Sequence, residues 1–396
     1  MRASRRLNRR ARAVLPFLVL LVAGCRPRPR DVVPSFPFQA DSLRTQFVAP
    51  GVIHRFVYAA SGPWAIHVLQ TDLDRCYSPR AVKGTARAVG REKTSVLLAR
   101  LNDSLPVVGG VNADFFSLAA PPGVPVGALV VQGTLIAGPG VKPALALDSS
   151  GTLRIAQLRA TGTLDVNGRR FPIEAWNRSA LRGAALFDRA WGATMDTSTS
   201  AVEVAISGRH GGHVVLVDTA RAGAAIPAGG AVIVAGRNAP EDLRAALRTL
   251  HAGDSVRATV SLAPFFPREA VGGRPLLVRD SAIVADVDTT GQPGFSTSRH
   301  PRTAVGLARD GRRMMLVAVD GRQKPYSDGM TLRELANLML ALGARDALNL
   351  DGGGSTTMVY ADPDSAGRLR VANRPSDKEG ERPVGDALAI VRACSR

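Results

Sequence analysis

Three short stretches of the 396-residue chain concentrate groups able to do chemistry. In the first, Gly109-Gly110-Val111-Asn112-Ala113-Asp114-Phe115-Phe116, an apolar run ends on Asn112 and Asp114. Two residues apart on extended backbone, they face the same side, an amide and a carboxylate with aromatic walls behind them. The second stretch joins Arg302-Thr303, at the start of one apolar run, to Asp320-Gly321-Arg322, at the end of the next. Arg grips phosphate oxygens through paired N–H donors. The third, Asn349-Leu350-Asp351-Gly352-Gly353-Gly354-Ser355-Thr356, runs from a buried-strand pattern into three glycines. Glycines allow close backbone approach and positive φ, and successive N–H groups cradle anions. Asp351 stands at the mouth of that loop. No Lys-Ser/Thr follows the glycines, which excludes a Walker A loop. Thr357 stands where a nucleophile elbow needs its last glycine, which argues against a serine hydrolase.

The elements that must hold these groups are mostly strands. Apolar runs at 64–69, 106–111, 126–131, 143–147, 152–156, 202–207, 213–218, 231–235, 256–262, 302–308, 314–319, 346–350, 356–360 and 386–392 are bounded by Gly, Pro, Asn and Asp, as strands are. Helices are expected at 92–101, 240–250 and 331–342. The last has Thr331 and Glu334 three apart, a capping box, with Leu332, Leu335, Leu338, Met339 and Leu342 on one face and Gly343 as its stop. Strict strand–helix alternation is absent, so the expected class is α+β: a sheet-rich mixed domain with a few packed helices.

The N-terminus reads as an export signal. Residues 1–12 carry six Arg and no acid, followed by an uncharged run at 13–24, too short to span a bilayer but right for a signal peptide. The run ends Val22-Ala23-Gly24-Cys25, a lipobox-like junction at which Cys25 would be lipidated. The expected organisation is a lipoprotein-type signal peptide at 1–24, a Pro/Arg-rich tether at 25–50 and one domain at 51–396, with 150–265 a β-rich elaboration. The expected location is the cell envelope, on the outer membrane or periplasmic face where the source has two membranes. Apolar residues make up 45% and charged ones 21%, which excludes disordered and multi-span membrane classes. The formal charge is +18, but the basic residues are scattered and aromatics are only 5%, so a nucleic-acid partner is not expected. An oxidising compartment would allow Cys76 and Cys394 to pair. His210 and His213 flank two glycines, and His300 precedes Pro301-Arg302, without forming a metal-ligand pattern.

Taken in order, the motifs resemble the phosphodiester glycosidase family. The matching residues are Gly110-Val111-Asn112-Ala113-Asp114-Phe115-Phe116, Gly272-Gly273-Arg274-Pro275, Arg302-Thr303-Ala304-Val305-Gly306, Val319-Asp320-Gly321-Arg322, Gly329-Met330-Thr331-Leu332-Arg333-Glu334, Asn349-Leu350-Asp351-Gly352-Gly353-Gly354-Ser355, Asn373-Arg374-Pro375 and Glu381-Arg382-Pro383. The resemblance is strong at 105–135 and 270–392 and unresolved at 150–265. It implies a glycoside hydrolase that cleaves the anomeric bond of a sugar-1-phosphodiester of the N-acetylglucosamine type, here in envelope or exopolysaccharide material. On that reading Asp351, Asp320 and Asp114 are the catalytic candidates. Asn112, Arg302, Thr303, Arg322, Gly352, Gly353, Gly354, Ser355, Asn373 and Arg382 would bind the substrate, an anionic glycan or sugar phosphodiester. No cofactor is expected; carboxylates and carbonyls would suffice for a structural Ca²⁺. The alternative from another class is a non-catalytic, lipid-anchored glycan-binding protein.

Overall fold

The computed structural model describes residues 34–84, 87–119, 121–138, 142–178, 182–195, 200–218 and 223–394. The expected signal peptide, the first part of the expected tether and Cys25 lie outside them. Among the described residues no helix is long and apolar enough to cross a membrane.

Three sheets make up most of the protein. An eight-stranded sheet runs Ser42–Ala49, Val52–Ala59, Trp64–Asp72, Arg313–Val319, Arg302–Ala308, Ala344–Asn349, Leu276–Arg279 and Ala282–Ile283. Its central strand Arg302–Ala308 is buried along its whole length, which is why it reads as a continuous apolar run rather than an alternation. A five-stranded sheet runs Arg368–Val371, Met358–Asp362, Val107–Asn112, Ala387–Arg392 and Tyr77–Val82. An eleven-stranded sheet collects the remaining strands, most of them from the 150–265 stretch. Within it, Arg169–Trp176 pairs with both Ala184–Asp188 and Leu153–Val166, which closes that part of the sheet into a ring. Ser255–Ala263 shows the resulting two-sided environment: Val256, Ala258 and Leu262 are buried while Arg257, Thr259 and Ser261 face out. This stretch has a hydrophobic cluster of its own, centred on Leu164, Trp176, Leu186 and Ile233.

The three helices fall where the sequence places them: α1 (Thr94–Asn102), α2 (Glu241–Arg248) and α3 (Leu332–Ala341). Thr331 accepts from the Glu334 N–H at 3.1 Å and the Glu334 carboxylate accepts from the Thr331 N–H at 2.9 Å, completing the capping box, an arrangement that contributes about 1 kcal/mol. Leu332, Leu335, Leu338 and Met339 bury against the eight-stranded sheet. Truncating one to Ala would cost about 2–5 kcal/mol.

Two features go beyond the sequence reading. Residues 42–49, expected as tether, form the edge strand of the eight-stranded sheet and pair with Val52–Ala59. The Pro/Arg composition of the preceding residues hides this hairpin, whose sequence signal is the Pro50-Gly51 turn with Gly51 at φ +84°. Cys76 and Cys394 form a disulfide, Cα–Cα 5.3 Å. Antiparallel pairing of Tyr77 with Arg392 brings the two ends together, and the Ala393 N–H donates to the Cys76 carbonyl.

Candidate active site

Two sheets end at the same place. In the eight-stranded sheet Arg302 pairs with Val319 and Ala304 with Asn349, so Arg302-Thr303, Asp320 and the exit of Asn349 share one edge. In the five-stranded sheet Asn112 pairs with Ala387, placing Asp114 and Asp386 just past that strand pair. The glycine loop crosses between the sheets: Ala344–Asn349 belongs to one and Met358–Asp362 to the other, joined by Asp351 and a 3₁₀ turn at Gly353–Ser355. Asn112 ties the junction. Its Nδ2 donates to the Asp351 carbonyl at 2.6 Å, and its Oδ1 accepts from Thr303 Oγ1 at 2.9 Å and the Thr357 N–H at 3.0 Å. The amide and hydroxyl proposed for sugar contacts thus serve as mortar between the sheets.

Asp351 lies at the centre of a group of carboxylates. Its N–H donates to the Ala113 carbonyl at 2.8 Å, and the Asp114 N–H donates to Asp386 Oδ1 at 2.7 Å. Asp114 and Asp386 are buried, whereas Asp351 is half-buried. Burial pushes Asp351 up to about 6; Ser355, the Arg382 charge and the Gly352 N–H pull it down, and Asp386 pushes it further up. Burial, with the Asp386 charge, holds Asp114 well above the carboxylate range. Asp386 is raised to about 6 by burial, with Lys83 opposing. Like charges this close do not both ionise readily, so Asp114 and Asp386 retain a proton between them near neutrality and titrate as a pair. The surrounding backbone is shaped to fit: a Cβ on Gly272 would come within 2.6 Å of Asp114 Oδ2.

Asp386 and Lys83 were not recognised in the sequence. Lys83 Nζ donates to the carbonyls of Gly90 and Gly123 at 2.7 and 2.8 Å and also to that of Gly385; burial lowers it to about 8. Asp386 had a legible signal, a single carboxylate at the lip of a buried apolar run, the same signal that marks Asp114. Lys83 had none.

Asp320 is placed differently. Its Oδ1 accepts from Asn373 Nδ2 at 3.0 Å and the Arg374 N–H at 2.9 Å, and its Oδ2 accepts from Tyr326 Oη at 3.0 Å. His67 Nε2 stands 3.8 Å from Oδ2, backed by His54 at 3.1 Å. Both histidines are pushed down by burial, to about 3 and about 4, so they face Asp320 uncharged. Burial raises Asp320 to about 6 against the pull of these donors.

The basic candidates divide as well. Arg302 is buried, with Nε donating to the Met330 carbonyl at 2.8 Å and Nη2 to those of Phe295 and Ser298 at 2.7 and 3.1 Å. It braces the loop before its own strand, which leaves it poorly suited to the phosphate role expected of it. Arg322 is exposed and lies alongside the glycine loop: a Cβ on Gly353 would sit 3.3 Å from its Nη atoms. Its Nη2 stands 3.3 Å from His300 Nδ1, and His300 is held below its usual range by burial and by the Arg302 and Arg322 charges. Arg382 flanks the loop from the other side, against Gly354, with both carboxylate oxygens of Asp377 bound at 2.7 and 3.0 Å. The Gly353 N–H is engaged by the Pro301 carbonyl at 2.9 Å, so the anion-attracting character of this mouth rests on the guanidiniums more than on a backbone cradle. Asn373 serves Asp320, Thr356 and Met358. His210 packs on Trp176 and His213 faces the Gly253 carbonyl. Among the described residues no cluster of three or more His, Cys, Asp or Glu is arranged to hold a metal ion.

Comparison with solved structures shows the fold to be shared. A hypothetical protein from Synechocystis matches with TM-score 0.72 at 22% identity, over 89% of this chain and 64% of that one. This chain therefore spans just under two thirds of that protein. A Burkholderia pseudomallei K96243 protein, whose name proposes that it is exported, matches with TM-score 0.72 at 22% identity, over 90% of this chain and 98% of that one. The zebrafish N-acetylglucosamine-1-phosphodiester alpha-N-acetylglucosaminidase catalytic domain, auto-inhibited by its pro-peptide, aligns with TM-score 0.45 at 17% identity, over 89% and 87% of the two chains. No curated protein matches by sequence. The phosphodiester glycosidase family model matches residues 200–391. That stretch takes in Arg302, Asp320, Arg322, Asp351, Arg382 and Asp386, together with 200–265, where the sequence resemblance was unresolved; over it the chain is similar to the phosphodiester glycosidase family.

Proposed function

We propose that the protein is an exported glycosidase that hydrolyses the anomeric C–O bond of a sugar-1-phosphodiester, with Asp351 as the carboxylate at the reacting carbon. The observation that carries this reading is the placement of a half-buried Asp351 between two guanidiniums, Arg322 and Arg382, that flank its glycine loop. A phosphodiester is a good leaving group, so the demand on a general acid is small. The demand on positive charge to hold the phosphate, and on a carboxylate to stabilise an oxocarbenium-like centre, is large. Asp351 acts ionised, as Ser355, Arg382 and the Gly352 N–H favour. Asp114 and Asp386 keep a proton between them and hold the strand ends in place, while Asp320 fixes the Arg374 segment. The sugar is of the N-acetylglucosamine type and the material is cell envelope or exopolysaccharide. The test is turnover of a panel of sugar-1-phosphodiesters with the released sugar identified by mass. Free sugar from at least one member is expected, and none from any member, with the panel bound but intact, would favour a glycan-binding protein instead.

Anchoring through Cys25 is part of the same proposal. Replacing Cys25 with Ser should release the protein from the membrane fraction and abolish its lipid mass. A wild-type chain that fractionates as soluble without lipid would contradict it.

A further inference from the structure

Away from the glycine loop, a second cleft of about 640 Å³ opens between the turn after Leu129–Val131, the end of Ala184–Asp188 and the loop before Ala231–Gly236. Its charged lining is Lys83, Arg87, Arg189, Arg209 and a single acid, Asp188. That acid is already consumed. Its Oδ1 accepts from Asn177 Nδ2 at 2.7 Å and the Ala190 N–H at 2.9 Å, and Arg209 Nε stands 2.5 Å from its Oδ2. Arg209 is further held by the Leu135 carbonyl at 3.0 Å and by the Trp176 ring, so this pair forms a neutral, rigid floor. The Lys83 ammonium is committed to three carbonyls. Two exposed guanidiniums remain at the mouth. Among the described residues Arg189 has a single long side-chain hydrogen bond, 3.4 Å, to the Pro227 carbonyl, and Arg87 shows no carboxylate partner. Gln132 and Thr134 add exposed polar groups on the same lining.

We propose that this cleft binds an anionic segment of a glycan, a sugar bearing phosphate or carboxylate, through Arg87 and Arg189, with Gln132 and Thr134 meeting its hydroxyls. A concave site with uncompensated guanidiniums over a neutral floor attracts oxyanions, and the paired donors of Arg suit phosphate and carboxylate alike. Lys83 reaches from this lining to the Gly385 carbonyl, one residue before Asp386. The cleft therefore borders the rear of the carboxylate group and is placed to hold a part of a long substrate remote from the bond that breaks. Only that last role rests on the function proposed above; anion binding does not.

The test is calorimetric titration of the full chain with tetragalacturonate, with glucose 6-phosphate and with a neutral tetrasaccharide. The first two distinguish carboxylate from phosphate. Binding of at least one anionic probe is expected, weakened at least tenfold in the double variant Arg87→Ser/Arg189→Ser and largely unchanged in Arg322→Ala. Turnover of a small sugar-1-phosphodiester should be unaffected by the double substitution, which touches only exposed side chains. Equal affinity in the double variant and the wild type, loss only in Arg322→Ala, equal binding of the neutral tetrasaccharide, or no binding of either anion would each overturn the proposal. Anion binding that persists in a protein with no turnover of any phosphodiester would instead separate this site from the proposed activity.

Discussion

Asp351 and Asp320 follow the two strands that flank Arg302–Ala308 in one sheet, and burial raises both to about 6, yet their surroundings assign them different work. Asp320 is 1% exposed, and both its oxygens are taken by an amide, a backbone N–H and a phenol. A carboxylate so fully engaged holds structure, because its lone pairs are unavailable to a ligand without breaking bonds worth about 1.5–3 kcal/mol each. Asp351 is half-buried at the start of a glycine loop whose close neighbours are the Arg322 and Arg382 guanidiniums. A shared shift in proton affinity therefore does not identify a catalyst; the distinguishing property is an oxygen that a substrate can reach.

The sharpest way to break this contrast is to neutralise each carboxylate in turn. Asp351→Asn should lower turnover on the order of a thousandfold, ~4 kcal/mol of lost transition-state stabilisation, with the melting temperature unchanged. Asp320→Asn should cost less in turnover, roughly ten- to a hundredfold, and should also lower the melting temperature, since an amide NH₂ would face the donors of Asn373 and Arg374. If the melting temperature falls for Asp351→Asn and holds for Asp320→Asn, the two roles are reversed.

A finer test uses Asp386, whose charge raises Asp351. With Asp351 working ionised, kcat/KM should fall as pH drops through about 6. Asp386→Asn keeps the acceptor for the Asp114 N–H and removes the charge, so this acid limb should move to lower pH. An unmoved limb, or one displaced upward, would show that Asp386 does not act on Asp351. The smallest effect on activity is expected at the far end of the five-stranded sheet. Cys76→Ser should leave turnover intact while lowering stability by about 2–5 kcal/mol, read as a lower denaturation midpoint.

Much of this arrangement was legible in the sequence, and the parts that were not have physical reasons. The capping box and one-faced leucines of α3 are local signals, and the structure realises them residue for residue. The same holds for apolar runs such as 302–308, whose neighbours in the sheet are distant in sequence but whose burial is written in their composition. The Ser42–Ala49 hairpin was hidden because an edge strand has only one partner and carries a weak alternation. Within the site, residue type and position at a strand end pointed to Asp351, Asp114 and Asp320. They did not show which donors each side chain already serves. Arg302, read as a phosphate ligand, is engaged by three backbone carbonyls, one of them 28 residues away and two in the irregular loop just before its strand, and Asn112 ties both sheets through partners as far as 245 residues away. Lys83 was invisible for the same reason: its partners are carbonyls, which every residue has.

The central claim is that water ends up on the sugar and not on the phosphorus, and isotope transfer tests it most directly. Hydrolysis of a sugar-1-phosphodiester by the full chain in ¹⁸O-labelled water should place the label in the C1 hydroxyl of the released sugar, leaving the phosphate monoester unlabelled. Label in the phosphate would mean P–O cleavage, and the protein would then be a phosphodiesterase in which Asp351 has no anomeric carbon to act upon.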